Sequence, residues 1–132
     1  MSRLSDVSRE ELKPEDQQYY DEIAGSRGSV RGPYGVLLHS PQLAARVAHT
    51  GTFVRFDFDV PEGLKELVII TTAREITSQY EFAAHARLAR AAGVTEETIS
   101  AVAKGTAPQG LSGDEEILVR YTKELVANHK IR

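Results

Sequence analysis

Between Gly63 and Gly93 the chain contains no proline and no glycine, and at its heart lies the apolar run Leu67-Val68-Ile69-Ile70-Thr71-Thr72-Ala73. The β-branched residues of that run favour a strand. Two features overrule the preference. The uninterrupted segment from Leu64 to Ala92 is far longer than a strand of about 5–6 residues. Charges at Lys65-Glu66 and Arg74-Glu75 also flank the run at helical spacing. A stretch that is apolar nearly all round reads as a buried helix. The polar patch Thr77-Ser78-Gln79 leaves room for a bend, so the expectation is one long central buried helix or a helix pair.

The remaining segments read as helices as well. Residues 1–13 are polar and form a flexible or surface-draped N-terminal segment, and a single helical domain spans 14–132. Pro14 with Glu15 and Asp16 behind it suits a helix start, because proline lacks the amide a first turn leaves unused and acids favour the positive end of the helix dipole. Ser40-Pro41 repeats the start signal, with Leu43, Ala44, Val47 and Ala48 at helical spacing, continuing towards Phe53, Val54 and Phe56. Thr95 with Glu96 and Glu97 opens a further helix facing inward through Ile99, Val102 and Ala103. Ser112 to Glu115 has capping-box spacing, and the last helix carries the stripe Ile117, Leu118, Tyr121, Leu125 and Val126. The fold class is all-α.

Composition narrows the function. The chain of 132 residues has 16 basic and 19 acidic side chains and a net charge of −3, a poor match to a phosphate-seeking surface, so no nucleic-acid partner is expected. No apolar run approaches the ~20 residues of a membrane span, and Met1 to Glu11 holds no hydrophobic signal core. A cytoplasmic protein with no membrane partner is expected. The chain has no cysteine, which excludes disulfides, thiolate metal sites, iron–sulfur clusters and thiol redox chemistry carried by this chain.

One set of residues stands out for chemistry. At about 100° per residue, Arg74, Ser78, Glu81 and His85 share one face if the central helix is continuous. Glu81 and His85 are four residues apart, so the carboxylate can orient the imidazole and favour its charged form. This is either an acid–base couple or an ordinary polar pair on an exposed face. The apolar setting Tyr80-Glu81-Phe82-Ala83-Ala84-His85-Ala86 favours the former, because charges there need partners. His39, in the loop before Pro41, could line a pocket or serve structure alone, whereas His49 and His129 lie on polar faces. No third ligand stands near Glu81 and His85 at useful spacing, so no metal is expected.

These residues resemble a known family. Tyr80-Glu81-Phe82-Ala83-Ala84-His85, continued by Leu88-Ala89-Arg90-Ala91-Ala92-Gly93-Val94-Thr95 and Glu97, is similar to the core signature of the carboxymuconolactone decarboxylase family, as are Leu38 to Ala44 and Leu64 to Leu67. The resemblance runs from about Tyr34 to His129 and implies an AhpD-like helical bundle. In the thiol peroxidases of that fold, two cysteines precede the histidine by seven and four residues. Ser78 and Glu81 occupy those positions here, and Glu66 and His85 match the upstream glutamate and the histidine of the proton relay. Disulfide cycling therefore has no thiols to use, and the match leans to the decarboxylase branch, where a glutamate stands four residues before the histidine.

What the resemblance implies is a small-molecule enzyme without cofactor, acting on a carboxylated lactone or related cyclic acid. His85 would transfer the proton and Glu81 would orient it, with Glu66 at the edge of the pocket as a third catalytic residue. Arg74, Ser78 and His39 would contact substrate, although a solvated or intersubunit role suits Arg74 equally. A non-catalytic helical oligomer or ligand-binding module is the alternative. A homo-oligomer is expected, as dimer, trimer or hexamer. Members of the family usually continue for two more helices beyond a stretch like Asn128 to Arg132, so an assembly or further chain would complete the pocket.

Overall fold

The computed structural model describes residues 3–131. It contains seven α-helices and, among the described residues, no strand. No described helix is long and apolar enough to cross a membrane. The chain divides into two compact units, Met1–Phe58 and Asp59–Arg132.

In the first unit, 3-10 turns at Arg9–Glu11 and Pro14–Asp16 lead into α1 (Gln17–Arg27), α2 (Pro33–Leu37) and α3 (Pro41–Thr52), followed by a π-helical turn at Phe53–Asp57. Prolines start α2 and α3, at the position where the lost amide is least missed. The core is Ile23, Leu38, Ala44 and Ala48, with Val7, Leu12, Tyr20 and Tyr34 packed on it. Leu43 and Val47, read as inward, instead face solvent, because the small side chains Ala44, Ala45 and Ala48 form the face of α3 that packs closely. The N-terminal segment is tied to this unit. The Val7 amide donates to the Gly35 carbonyl at 2.9 Å, and Arg9 forms a two-pronged pair with Asp21 at 2.7 and 2.9 Å.

The second unit comprises α4 (Glu62–Glu75), α5 (Gln79–Ala91), α6 (Glu96–Lys104) and α7 (Gly113–Asn128). The central apolar segment is thus helical, as a pair rather than one rod. No residue from Gly63 to Glu75 is exposed, since α4 packs against α5, α6 and α7. The hydroxyls of Thr71 and Thr72 donate to the carbonyls of Leu67 and Val68 at 2.7 and 2.8 Å, which lets β-branched polar residues sit in a buried helix. Leu67, Ile70, Ala86, Ala89, Val94, Ile99, Val102 and Val119 form one core.

The break between α4 and α5 is a Schellman turn. The Ser78 amide donates to the Ala73 carbonyl at 2.8 Å and the Thr77 amide to Arg74 at 3.1 Å, with Thr77 left-handed at φ 58°. The ends of α5 and α6 use the same bond pattern around Gly93 and Gly105, residues suited to positive φ. Two inward assignments are corrected. Ala103 is exposed, lying in the last turn of α6 where the helix leaves the core. On α7 the inward residues are Val119 and Thr122, which leaves Ile117, Tyr121 and Leu125 exposed at 44–54%.

Candidate active site

The α4–α5 hairpin is antiparallel. Gly63 near the start of α4 lies against the Ala92 carbonyl just beyond α5, close enough that a Cβ on Gly63 would come within 3.2 Å of that oxygen. This register brings Glu66 opposite His85. Glu66 is 1% exposed, and its Oε2 lies 2.7 Å from Nδ1 of His85. A carboxylate at that distance accepts, so Nδ1 carries the proton of this bond and the ring's orientation and tautomer are fixed. The other ring nitrogen, Nε2, is 3.5 Å from Oε2 of Glu81. That is ion-pair range and too long for a good hydrogen bond. Glu81 is about one-third exposed, with its side chain at 36%. The imidazole is therefore held firmly on one side by a buried carboxylate and loosely on the other by one that reaches water.

The i,i+4 spacing names Glu81 as the residue that orients His85. In the structure the shorter contact is from Glu66, on the neighbouring helix, and Glu81 stands nearer the other ring nitrogen. The expected single face holding Arg74, Ser78, Glu81 and His85 required a continuous helix, and the turn at Thr77 divides it. Arg74 and Ser78 instead come together at the hairpin corner, in a cavity of about 340 Å³ with Ala73, Thr77, Gln79, Phe82 and Ala103. Glu66, Glu81 and His85 are not among the residues lining it. Arg74 donates from Nε to the Ala103 carbonyl at 2.8 Å, across to the end of α6.

His39 belongs to the first unit, where its Nε2 lies 2.9 Å from the Ser5 carbonyl and its charge helps to hold the Glu11 carboxyl below the ordinary range, after that group's bonds to Ser8. Among the described residues, no three His, Cys, Asp or Glu side chains gather as a metal-ligand set. Thr77, Gln79, Phe82 and Ala103, which also line the corner cavity, were not singled out from sequence as site residues. Their common signal is the helix break, which has no glycine to mark it.

The second unit thus presents a helical hairpin with a carboxylate–imidazole–carboxylate cluster and no thiol. The model of the carboxymuconolactone decarboxylase family matches residues 41–124, more than half of the chain, and the protein belongs to that family. The match includes Glu66, Arg74, Ser78, Glu81 and His85. No match was found among curated proteins or among solved structures.

Proposed function

We propose that the chain is a cofactor-free acid–base enzyme of the carboxy-lyase type, acting on a carboxylated lactone or related cyclic acid. The observation that carries this reading is the placement of His85, with Nδ1 bonded at 2.7 Å to a buried Glu66 and Nε2 facing the partly exposed Glu81. Family membership supports the reaction class.

The step balances with these residues alone. The bond from ring carbon to carboxylate breaks, carbon dioxide departs, and the electron pair passes into the conjugated lactone carbonyl. His85, protonated on both nitrogens, then gives its Nε2 proton to the carbon. Glu66 balances the charge of the imidazolium and fixes the direction of Nε2, while Glu81 returns a proton from solvent. Charge balance from a fixed, buried partner requires little reorganisation during the reaction.

The test is a screen of carboxylated lactones and related acids for carbon dioxide release. Turnover that falls on the order of 10²–10⁴-fold in His85→Ala is the expected result. Glu66→Gln should also lose activity, and the double variant should be little worse than either single one, because the pair acts as a unit. Full turnover in His85→Ala would refute the assignment. Absence of turnover by the native protein across the screen would favour a non-catalytic helical module of the same fold.

A further inference from the structure

The first unit carries a groove between α1 and α3, none of whose residues serves the Glu66–His85 pair. Tyr19 and Glu22 line it from α1, and Gln42, Arg46 and His49 line it from α3. Steps of three and four residues bring each set to one face of its helix. Ala45, 6% exposed, is short enough to leave a volume of about 460 Å³ between the longer side chains. The groove is divided in charge, with a carboxylate and a phenol from α1 and a guanidinium, an imidazole and an amide from α3. Among the described residues no ion pair joins Glu22 to Arg46 or His49, and the side chains of Tyr19, Glu22 and His49 make no hydrogen bond. Arg46 is held along α3, its Nη1 donating to the Gln42 carbonyl at 3.0 Å. Two opposite charges thus line one groove without meeting.

We propose that this groove binds a free aromatic α-amino acid. Its ammonium group would pair with Glu22 and its carboxylate with Arg46, with His49 and Gln42 as further hydrogen-bonding groups and the ring against Tyr19 and Ala45. Charge selects the class, because a zwitterion satisfies both sides of the groove at once. Inorganic phosphate would gain Arg46 and meet the Glu22 carboxylate as a like charge. A divalent cation would gain Glu22 and meet Arg46, and among the described residues no three His, Cys, Asp or Glu side chains gather to hold one. The planar fork of an arginine matches a carboxylate. Tyr19, half-buried, is the one aromatic lining residue, and aromatic rings pair in offset or tilted arrangements. The volume lies within the range of small-molecule sites. Tyr19 and Glu22 precede residues 41–124, the stretch that the family model matches, and the proposal does not rest on the reading of His85.

The experiment is a titration of the whole ¹⁵N-labelled protein with L-phenylalanine, with phenethylamine, which lacks the carboxylate, with hydrocinnamate, which lacks the ammonium group, and with inorganic phosphate. The expected result is saturable binding of the amino acid at roughly millimolar affinity, with amide shifts centred on residues 19–22 and 42–50. Each single-charge analogue should bind about three- to fivefold more weakly, the worth of an exposed ion pair. Glu22→Gln should lower the amino acid to the level of hydrocinnamate and leave hydrocinnamate no weaker. Arg46→Met should lower it to the level of phenethylamine and leave phenethylamine no weaker. Both positions are exposed, so the fold tolerates either change. His85→Asn should alter none of these affinities. Equal binding of the amino acid and either analogue, phosphate matching the amino acid, a substitution that weakens every ligand alike, or no saturable shift at these residues would overturn the proposal.

Discussion

A double-mutant cycle on Glu66 and His85 tests whether the two act as one unit. In His85→Leu, Glu66 remains 1% exposed and loses its 2.7 Å partner. A hydrogen bond to a charged group contributes about 1.5–3 kcal/mol, which sets the expected loss. Glu66→Leu is milder, about 1–2 kcal/mol, because the His85 side chain is 13% exposed and can turn to Glu81 or water. Leucine at both positions removes the buried acid and extends the core around Leu67 and Ala86. The double variant should therefore lie within about 1 kcal/mol of the native protein, or above it. The implied coupling is about 3 kcal/mol, or roughly 10 °C in Tm for a chain of this length. Urea unfolding followed by circular dichroism at fixed protein concentration measures it. Glu81→Gln is the control and should change stability by no more than about 0.5 kcal/mol. A coupling below about 0.5 kcal/mol, the level expected of independent sites, would refute the pairing of Glu66 with His85.

Thr77 holds the left-handed position of a Schellman turn at φ 58°, so Thr77→Gly should raise Tm by about 2–4 °C, the strain relieved exceeding the added freedom of the unfolded chain; a lower Tm would contradict the turn geometry. The Arg90 guanidinium, first by hydrogen bond and then by charge, holds Glu96 below the ordinary glutamate range. A lowered value in the folded state means that the pair's stabilisation is present above the unfolded glutamate range and is lost as pH falls through the folded one. An NMR titration should find the Glu96 midpoint below that of a free glutamate and restore it to the ordinary range in Arg90→Met; an unchanged midpoint would dismiss the pair. Ile117, Tyr121 and Leu125 on α7 are exposed and offer a surface on which to test the expected self-association. Sedimentation should show an oligomer that Tyr121→Lys weakens, and a native protein monomeric at micromolar concentration would end that expectation.

The helical class was legible because it depends on periodicity and on uninterrupted length. Leu64 to Ala92 could be nothing but helix once its length excluded a strand. The break within it was harder to read. α5 and α6 end on Gly93 and Gly105, which announce a left-handed residue, whereas α4 ends on Thr77, which does not. The face of α7 was misread for another reason. Its apolar residues occupy two adjoining stripes, 117–121–125 and 118–119–126, and periodicity cannot say which one packs on α4. The site divides in the same way. Glu81 and His85 are neighbours on one helix, so spacing finds them. Glu66 meets His85 only through the register of the hairpin, and short-range spacing carries no information about that contact.

Stability alone gives little reason for an acid at position 66. It lies on α4, where no position from Gly63 to Glu75 is exposed, beside Leu67 in the core. Taking a carboxylate out of water there costs several kcal/mol, and a well-packed apolar pair commonly does as well or better. Helix formation does not need the acid either, since leucine is as good a helix former. What Glu66 does that leucine cannot is set the direction of one imidazole. With Nδ1 occupied, Nε2 points to the edge of the hairpin, where Glu81 and water are within reach. Glu81 in turn stands where the thiol peroxidases that this sequence resembles carry their second cysteine, so Nε2 faces a carboxylate and no thiol. A buried carboxylate–imidazole pair that leaves one nitrogen beside solvent is what the proposed proton transfer would require. The double-leucine variant separates the two explanations: it should fold at least nearly as well as the native protein and have no chemistry left.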